Sequence, residues 1–247
     1  MSAPLFLLPA GALADVGAGT SLRLDGPEGR HAADVTRLRV GEDLLLADGS
    51  GRLARCEVTE VGKAQLDAVV RSLTEEPDPS PRFTLVQALA KGDRDLLAIE
   101  VGTELGVDAV VPWQADRSIS RWRGERATKG LRKWEQTLVA ATKQARRARV
   151  PELADLADRR AVVDRIAGAD LALVLHEEAT EPLATVVPPA HGEVVLVVGP
   201  EGGITPEETA AFVAAGARPV RLGSTVLRTS TAGSAAVAVL SGQARWR

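Results

Sequence analysis

Val194-Val195-Leu196-Val197-Val198-Gly199-Pro200-Glu201-Gly202-Gly203-Ile204-Thr205-Pro206-Glu207-Glu208 is the stretch on which the fold turns. Five consecutive aliphatic residues read as a strand covered on both faces, the pattern of a parallel sheet. A glycine-rich turn follows, and Thr205 then supplies an N-cap. Pro206 suits the first helical position and Glu208 completes a capping box. The unit is strand, turn, helix. Glycines at 199, 202 and 203 let backbone amides and carbonyls approach a ligand without Cβ interference. A tight turn alone accounts for Gly202-Gly203 but not for the whole string. The spacing matches neither the dinucleotide fingerprint nor a P-loop, so a phosphate cradle is disfavoured. It suits a nucleoside-like ligand held by backbone contacts.

Working outward, the same alternation recurs. Phe83–Ala90, Val107–Trp113, Asp170–Leu175 and Pro219–Leu222 read as further strands. Asp93–Leu105, Arg126–Ala148, Ala161–Ala167 and Pro206–Ala215 read as helices, and an Ala-rich helix closes the chain from about Thr231. Strands alternating with helices predict an α/β domain with a mostly parallel sheet. Two more strand ends carry polar residues: Leu175-His176-Glu177, and Leu222-Gly223 leading into Val226-Leu227-Arg228-Thr229. In open α/β sheets ligands bind beyond the carboxyl ends of strands, so the three loops can converge on one pocket. Ordinary connections with Ser/Thr capping are the alternative for the last of them.

Upstream, Glu75-Glu76-Pro77-Asp78-Pro79-Ser80-Pro81 cannot continue a helix or a central strand and reads as an extended linker, residues 75–81. Residues 1–74 hold short alternating segments, Pro4–Leu8, Ser21–Leu24, Asp43–Ala47, Leu53–Val58 and Gln65–Arg71. Asp48-Gly49-Ser50-Gly51 reads as a hairpin turn, and His31–Leu38 is the one helical-looking piece. These predict a small β-barrel with a short helix, ahead of an α/β domain over 82–247.

Composition narrows the chemistry. No apolar run is long enough to span a bilayer, and the Leu-rich start lacks a basic region and is broken by Pro9, so it reads as a strand and not a signal peptide. With a single cysteine, Cys56, and 3 histidines, no disulfide or zinc-ligand set is expected. The expectation is a cytosolic, reduced, metal-free protein. With Trp 4, Phe 3 and Tyr 0, a surface that binds single strands mainly by aromatic stacking is disfavoured. Net charge is −3, yet Arg117 to Arg149 holds eleven Lys/Arg against Glu125 and Glu135. Such asymmetry is an electrostatic footprint; a solvated helix face could produce part of it, though usually with interspersed Glu and Asp.

The three loops in this order resemble the SPOUT class of RNA methyltransferases, and more closely the ribosomal RNA small subunit methyltransferase E family. The resemblance spans nearly the whole chain. It includes His31 and Arg37-Leu38-Arg39-Val40-Gly41, then Lys91-Gly92-Asp93-Arg94, Thr103-Glu104-Leu105-Gly106-Val107, Arg117-Ser118, Glu125-Arg126 and Lys143-Gln144. It implies a PUA-like RNA-binding barrel followed by a SPOUT domain tied in a trefoil knot. It also implies S-adenosyl-L-methionine as cofactor, a homodimer, and methylation of N3 of a uridine in 16S rRNA of the small ribosomal subunit. The cofactor set it implies is Leu175, His176, Glu177, Val198, Gly199, Pro200, Glu201, Gly202, Gly203, Leu222, Gly223, Val226, Leu227, Arg228 and Thr229. One departure stands out. The family pattern Leu-Arg-x-Glu-Thr-Ala is here Leu227-Arg228-Thr229-Ser230-Thr231-Ala232, so no role of that glutamate transfers.

Removing the uridine N3 proton spreads negative charge over the imide oxygens, and Arg228, leaving the cofactor loop, is the candidate to stabilise it. Pairing with an acid such as Glu201, or with a helix C-terminus, is its alternative role. His176 flanks the pocket, where packing or backbone bonding explains it equally well. For RNA, Lys143, Arg146 and Arg147 are expected on one face near a helix end, with Arg117, Arg121 and Arg123 in the preceding loop and Arg37 and Arg39 in the small domain. Leu131, Trp134 and Leu138 form a core stripe. Two other functions compete: a SPOUT enzyme acting on another rRNA or tRNA nucleotide, and a non-catalytic RNA-binding assembly factor.

Overall fold

The computed structural model describes residues 3–246. Two compact units emerge, one of residues up to Asp78 together with Thr142–Val150, the other of Pro79–Ala141 and Pro151 onward.

The first unit contains β1 (Leu5–Leu7), β2 (Ser21–Leu24), α1 (Gly26–Arg30), a π-helical turn over His31–Val35, β3 (Asp43–Ala47), β4 (Arg52–Gly62) and β5 (Gln65–Glu75). Its five-stranded sheet runs β1-β3-β4-β5-β2, antiparallel except where β1 pairs with β3. Alternate residues Leu44, Leu46, Ala54, Cys56, Val58, Leu66, Ala68 and Val70 point inward with Phe6, Leu13 and Leu24. The two long strands exceed their sequence signal because register shifts at Arg55/Cys56 and Val58/Glu60 bend them. The helix begins before the expected His31. Pro27 is tolerated in its first turn, and Gly29 is needed because a Cβ there would lie 2.4 Å from the Leu24 carbonyl oxygen. Burial pushes the Cys56 thiol up to about 11, which makes it an inert core residue.

The second unit contains β6 (Arg82–Ala88), α2 (Arg94–Glu104), β7 (Ala109–Trp113), α3 (Glu125–Ala145, its end lying in the first unit), β8 (Glu152–Leu153), α4 (Arg159–Gly168), β9 (Leu171–Leu175), β10 (Glu181–Pro182), β11 (Glu193–Val198), α5 (Pro206–Ala214), β12 (Arg218–Arg221) and α6 (Thr229–Ala244). All seven strands are parallel, in the order β10-β12-β9-β11-β6-β7-β8. The two-residue edge strands β8 and β10 escaped the sequence reading because two residues show no period. β11 lies at the centre, and Val194 to Val198 are buried. From β6 the chain departs toward β7, and from β11 toward β12 on the other side. The strand order therefore reverses between β6 and β11, which opens a crevice beyond their carboxyl ends.

The turn after β11 is held by the expected capping box. Thr205 Oγ1 accepts from the Glu208 amide at 3.1 Å, and the Thr205 amide donates to Glu208 Oε2 at 2.9 Å. The other Glu208 oxygen accepts the Asp116 amide at 2.8 Å, tying in the loop after β7. Glu208 is 0% exposed. Glu208→Ala should therefore remove a cap and orphan two amides, costing about 1–3 kcal/mol. A lower urea midpoint checks this, and Glu208→Gln should lose less.

Candidate active site

Beyond the ends of β9 and β11 lies a cleft of about 360 Å³ lined by the three loops singled out in the sequence. Leu175, His176 and Glu177 form one wall, Val198 to Glu201 with Gly203 and Ile204 another, and Val226 to Thr229 with Ala232 the third. A smaller hollow of about 90 Å³ adjoins it, lined by Leu222 and Gly223 as well as Leu175 to Glu177. Gly202 lines neither. A Cβ there would sit 3.1 Å from Arg117 Cβ, so its small size serves contact with the loop after β7. Arg117 Nη1 donates to the Gly202 carbonyl at 3.1 Å.

Arg94 also lines the cleft, although the sequence marked it only within a longer motif. Its Nη1 donates to Glu201 Oε1 at 2.7 Å, and the Lys91 amide donates to the same oxygen at 3.0 Å. Burial opposes ionisation of Glu201, but its own amide, Arg94 and the Lys91 amide outweigh that and hold the carboxyl below the usual range. Glu201 is thus an occupied anion, which removes it as the acid considered for pairing with Arg228. Among the described residues no hydrogen bond or ion pair engages the Arg228 side chain, which is exposed on the cleft wall. His176 Nδ1 accepts the Glu178 amide at 3.2 Å and the His176 amide donates to Val220 oxygen at 3.0 Å. The neutral ring then carries its proton on Nε2, so His176 is fixed as a donor.

The RNA methyltransferase domain family matches residues 76–241, and the RNA methyltransferase PUA domain family matches residues 24–71. Ribosomal RNA small subunit methyltransferase E of Mycobacterium bovis is 49% identical over 219 residues, which span 87% of this chain and 83% of that one. The chain belongs to the small subunit methyltransferase E family. A solved structure of this enzyme from Neisseria gonorrhoeae, bound to S-adenosyl methionine, is 29% identical with a TM-score of 0.86, covering 98% of each chain. A Legionella pneumophila protein in complex with SAM is 30% identical with a TM-score of 0.83, again covering 98% of each chain.

Ser230 is buried in the first turn of α6. The basic residues sort differently from expectation. α3 stops at Ala145, three residues short, because Arg146 takes a left-handed φ of 54°. The Arg147 amide reaches back to Thr142 oxygen at 3.0 Å and the Arg146 amide to Lys143 oxygen at 3.2 Å, a Schellman ending. Arg146 and Arg147 therefore lie past the helix and do not share its face with Lys143. Lys143 Nζ is held at 2.6 and 2.8 Å from the two Glu28 oxygens, with only 16% of its side chain exposed. Arg121 Nη2 donates to Asp116 oxygen at 2.6 Å, and Arg123 is exposed. In the first unit Arg37 has φ 58° and is exposed, and the Arg39 amide donates to Glu42. Of the expected stripe Trp134 and Leu138 are buried and Leu131 is half-buried, with Trp122 edge-on to Trp134 at 5.7 Å. Among the described residues no group of three or more potential ligands could hold a metal ion, and no helix is long and apolar enough to cross a membrane.

Thr229 joins the cleft walls. Its Oγ1 donates to the Gly199 carbonyl at 2.7 Å and accepts Gln87 Nε2 from β6 at 2.8 Å. Thr229→Val keeps the shape but takes an acceptor from the Gln87 amide and a donor from the Gly199 carbonyl. The expected cost is about 1–3 kcal/mol, read as a lower denaturant midpoint. Thr229→Ser should recover most of it.

Proposed function

We propose that the protein transfers the methyl group of S-adenosyl-L-methionine to N3 of a uridine in 16S rRNA of the small ribosomal subunit, in the cytoplasm. The observation that carries this reading is the convergence of three strand-end loops on one cleft whose wall holds a guanidinium with no described partner. The residues present fit the cofactor. Leu175, Val198, Ile204 and Leu227 provide apolar walls, and the backbone of the 199–203 turn and the 226–228 loop provides donors and acceptors. The volume falls in the range of small-molecule sites. Bound there, the cofactor supplies an electrophilic methyl group on a sulfonium.

The chain's own residues would do the rest. The backbone loops orient, and a crevice at the switch point limits water. Alignment of reacting groups can supply roughly 7–11 kcal/mol in favourable cases. Arg228 is set to stabilise the imide charge as the N3 proton leaves, because no acid competes for it. Glu201, neutralised by Arg94, keeps the same wall from repelling that charge. The knotted topology that the resemblance implies belongs to this reading. After β12 the helix α6 returns over the sheet face, where a Cβ on Gly233 would meet Leu85 of β6 and Val198 of β11 at 2.8 and 3.3 Å. Exposed Leu97 on α2 offers apolar surface for the second copy that this reading includes.

Incubating the protein with labelled cofactor and small subunits from a strain lacking the enzyme, then mapping the methyl group, tests the reading. Label on a uridine N3 of 16S rRNA is expected. Label on another nucleotide, or cofactor binding without transfer, favours the competing functions. Arg228→Ala should slow single-turnover transfer about 10²–10³-fold with cofactor and RNA affinities retained. Lysine should rescue only in part, since it lacks the planar fork, and higher pH should partly restore the Ala variant. Charge reversal of Arg146 and Arg147 to Glu should weaken RNA binding and flatten its salt dependence, because fewer counterions are released. Cofactor affinity, measured by calorimetry, should not change.

A further inference from the structure

We propose that Ile119 is a wedge residue, inserted into the RNA stack at the place vacated by the target uridine. The proposal rests on the RNA methylation reading above. N3 sits on the pairing edge of uridine, so the base must leave its stack to reach a methyl donor in a cleft. The gap it leaves is unfavourable, and proteins that distort nucleic acid fill such gaps with an apolar side chain such as Ile, Leu or Phe.

The loop after β7, residues 114–124, is built to present such a side chain. It is fixed at several positions on either side of Ile119. The Trp122 amide donates to Gln114 Oε1 at 2.9 Å, and Arg121 bonds back to Asp116 oxygen. The Asp116 amide is held by Glu208, and its carboxylate by Arg159. The Ser118 amide closes a turn onto Ala115 oxygen at 3.1 Å. At the apex Ile119 is 68% exposed, with Arg117, Arg121 and Arg123 exposed around it. Single apolar residues on a surface are ordinary. Here the surrounding backbone is spent on holding one β-branched side chain, stiff at χ1, out in solvent between arginines suited to phosphates. A wedge held this way needs no ordering when RNA binds.

The loop is also coupled to the cleft. Arg117 bonds to the Gly202 carbonyl and occupies the space a Cβ on Gly202 would crowd, while Glu201 and Gly203 on either side line the cleft. The wedge and the site that receives the base are thus carried by the same glycine turn. Val226 is more exposed, at 77%, but it lines the cleft itself and belongs to the base's destination rather than to its origin.

The test uses Ile119→Ser and Ile119→Leu in single-turnover methylation of unmethylated small-subunit rRNA at saturating S-adenosylmethionine. Ile119→Ser should be about 10- to 100-fold slower, because the unstacking cost is no longer offset. Its cofactor affinity and melting temperature should match wild type, and Ile119→Leu should keep most of the rate. On RNA carrying a mismatch beside the mapped uridine, where the stack is already loosened, the Ser variant should recover most of its deficit. A Ser variant as fast as wild type on matched RNA overturns the wedge alone. So does a deficit that the mismatch leaves unchanged, since the residue then acts by some other means. A wild-type protein that transfers no methyl group to RNA overturns the parent reading and the wedge with it.

Discussion

A hydrogen-bond chain from Gln87 through the Thr229 hydroxyl to the Gly199 carbonyl fastens the second unit's centre. It joins β6, the turn after β11 and the start of α6, three pieces that are far apart in sequence. Gln87 is fully buried, so leaving its Nε2 donor unpaired would carry a cost. The position of the glycine turn, and with it the cleft wall, follows from pairing that donor through Thr229. The loop from β12 into α6 must then lie where Thr229 can serve both partners, which brings Arg228 to the cleft.

Close approach of α6 imposes the second constraint. The helix packs between the sheet and α2, and Ser234 Oγ donates to the Ala98 carbonyl at 3.4 Å. Only small side chains admit that distance, which explains the run Thr231-Ala232-Gly233-Ser234-Ala235-Ala236. Helix propensity is given up at Gly233 in exchange for contact with Leu85 and Val198. The same smallness keeps Ala232 from filling the cleft.

Charge is distributed by a different logic. Glu201 with Arg94, and Glu28 with Lys143, spend cations on structure, as Arg117 and Arg121 do through the Gly202 and Asp116 carbonyls, whereas Arg228 and Arg123 face outward. A basic segment read as one footprint therefore divides into a structural part and an exposed part. Lys143 shows why sequence alone misjudges this. Its acidic partner lies 115 positions away in a helix that turn residues had disguised.

Periodicity and end signals were enough to reveal the parallel sheet, the capping box at Thr205 and Glu208, and the three loops that meet in the cleft. Those features are local, set by alternation, glycine and capping within a dozen residues. The left-handed Arg146 that ends α3, the withdrawal of Gly202 behind Arg117, and the entry of Arg94 into the cleft wall depended on partners distant in the chain. Each is decided by which group satisfies a buried polar atom or fills a contact in three dimensions, and no window of sequence carries that information. The residue types were legible at every one of these positions. Their neighbours were supplied by the tertiary structure.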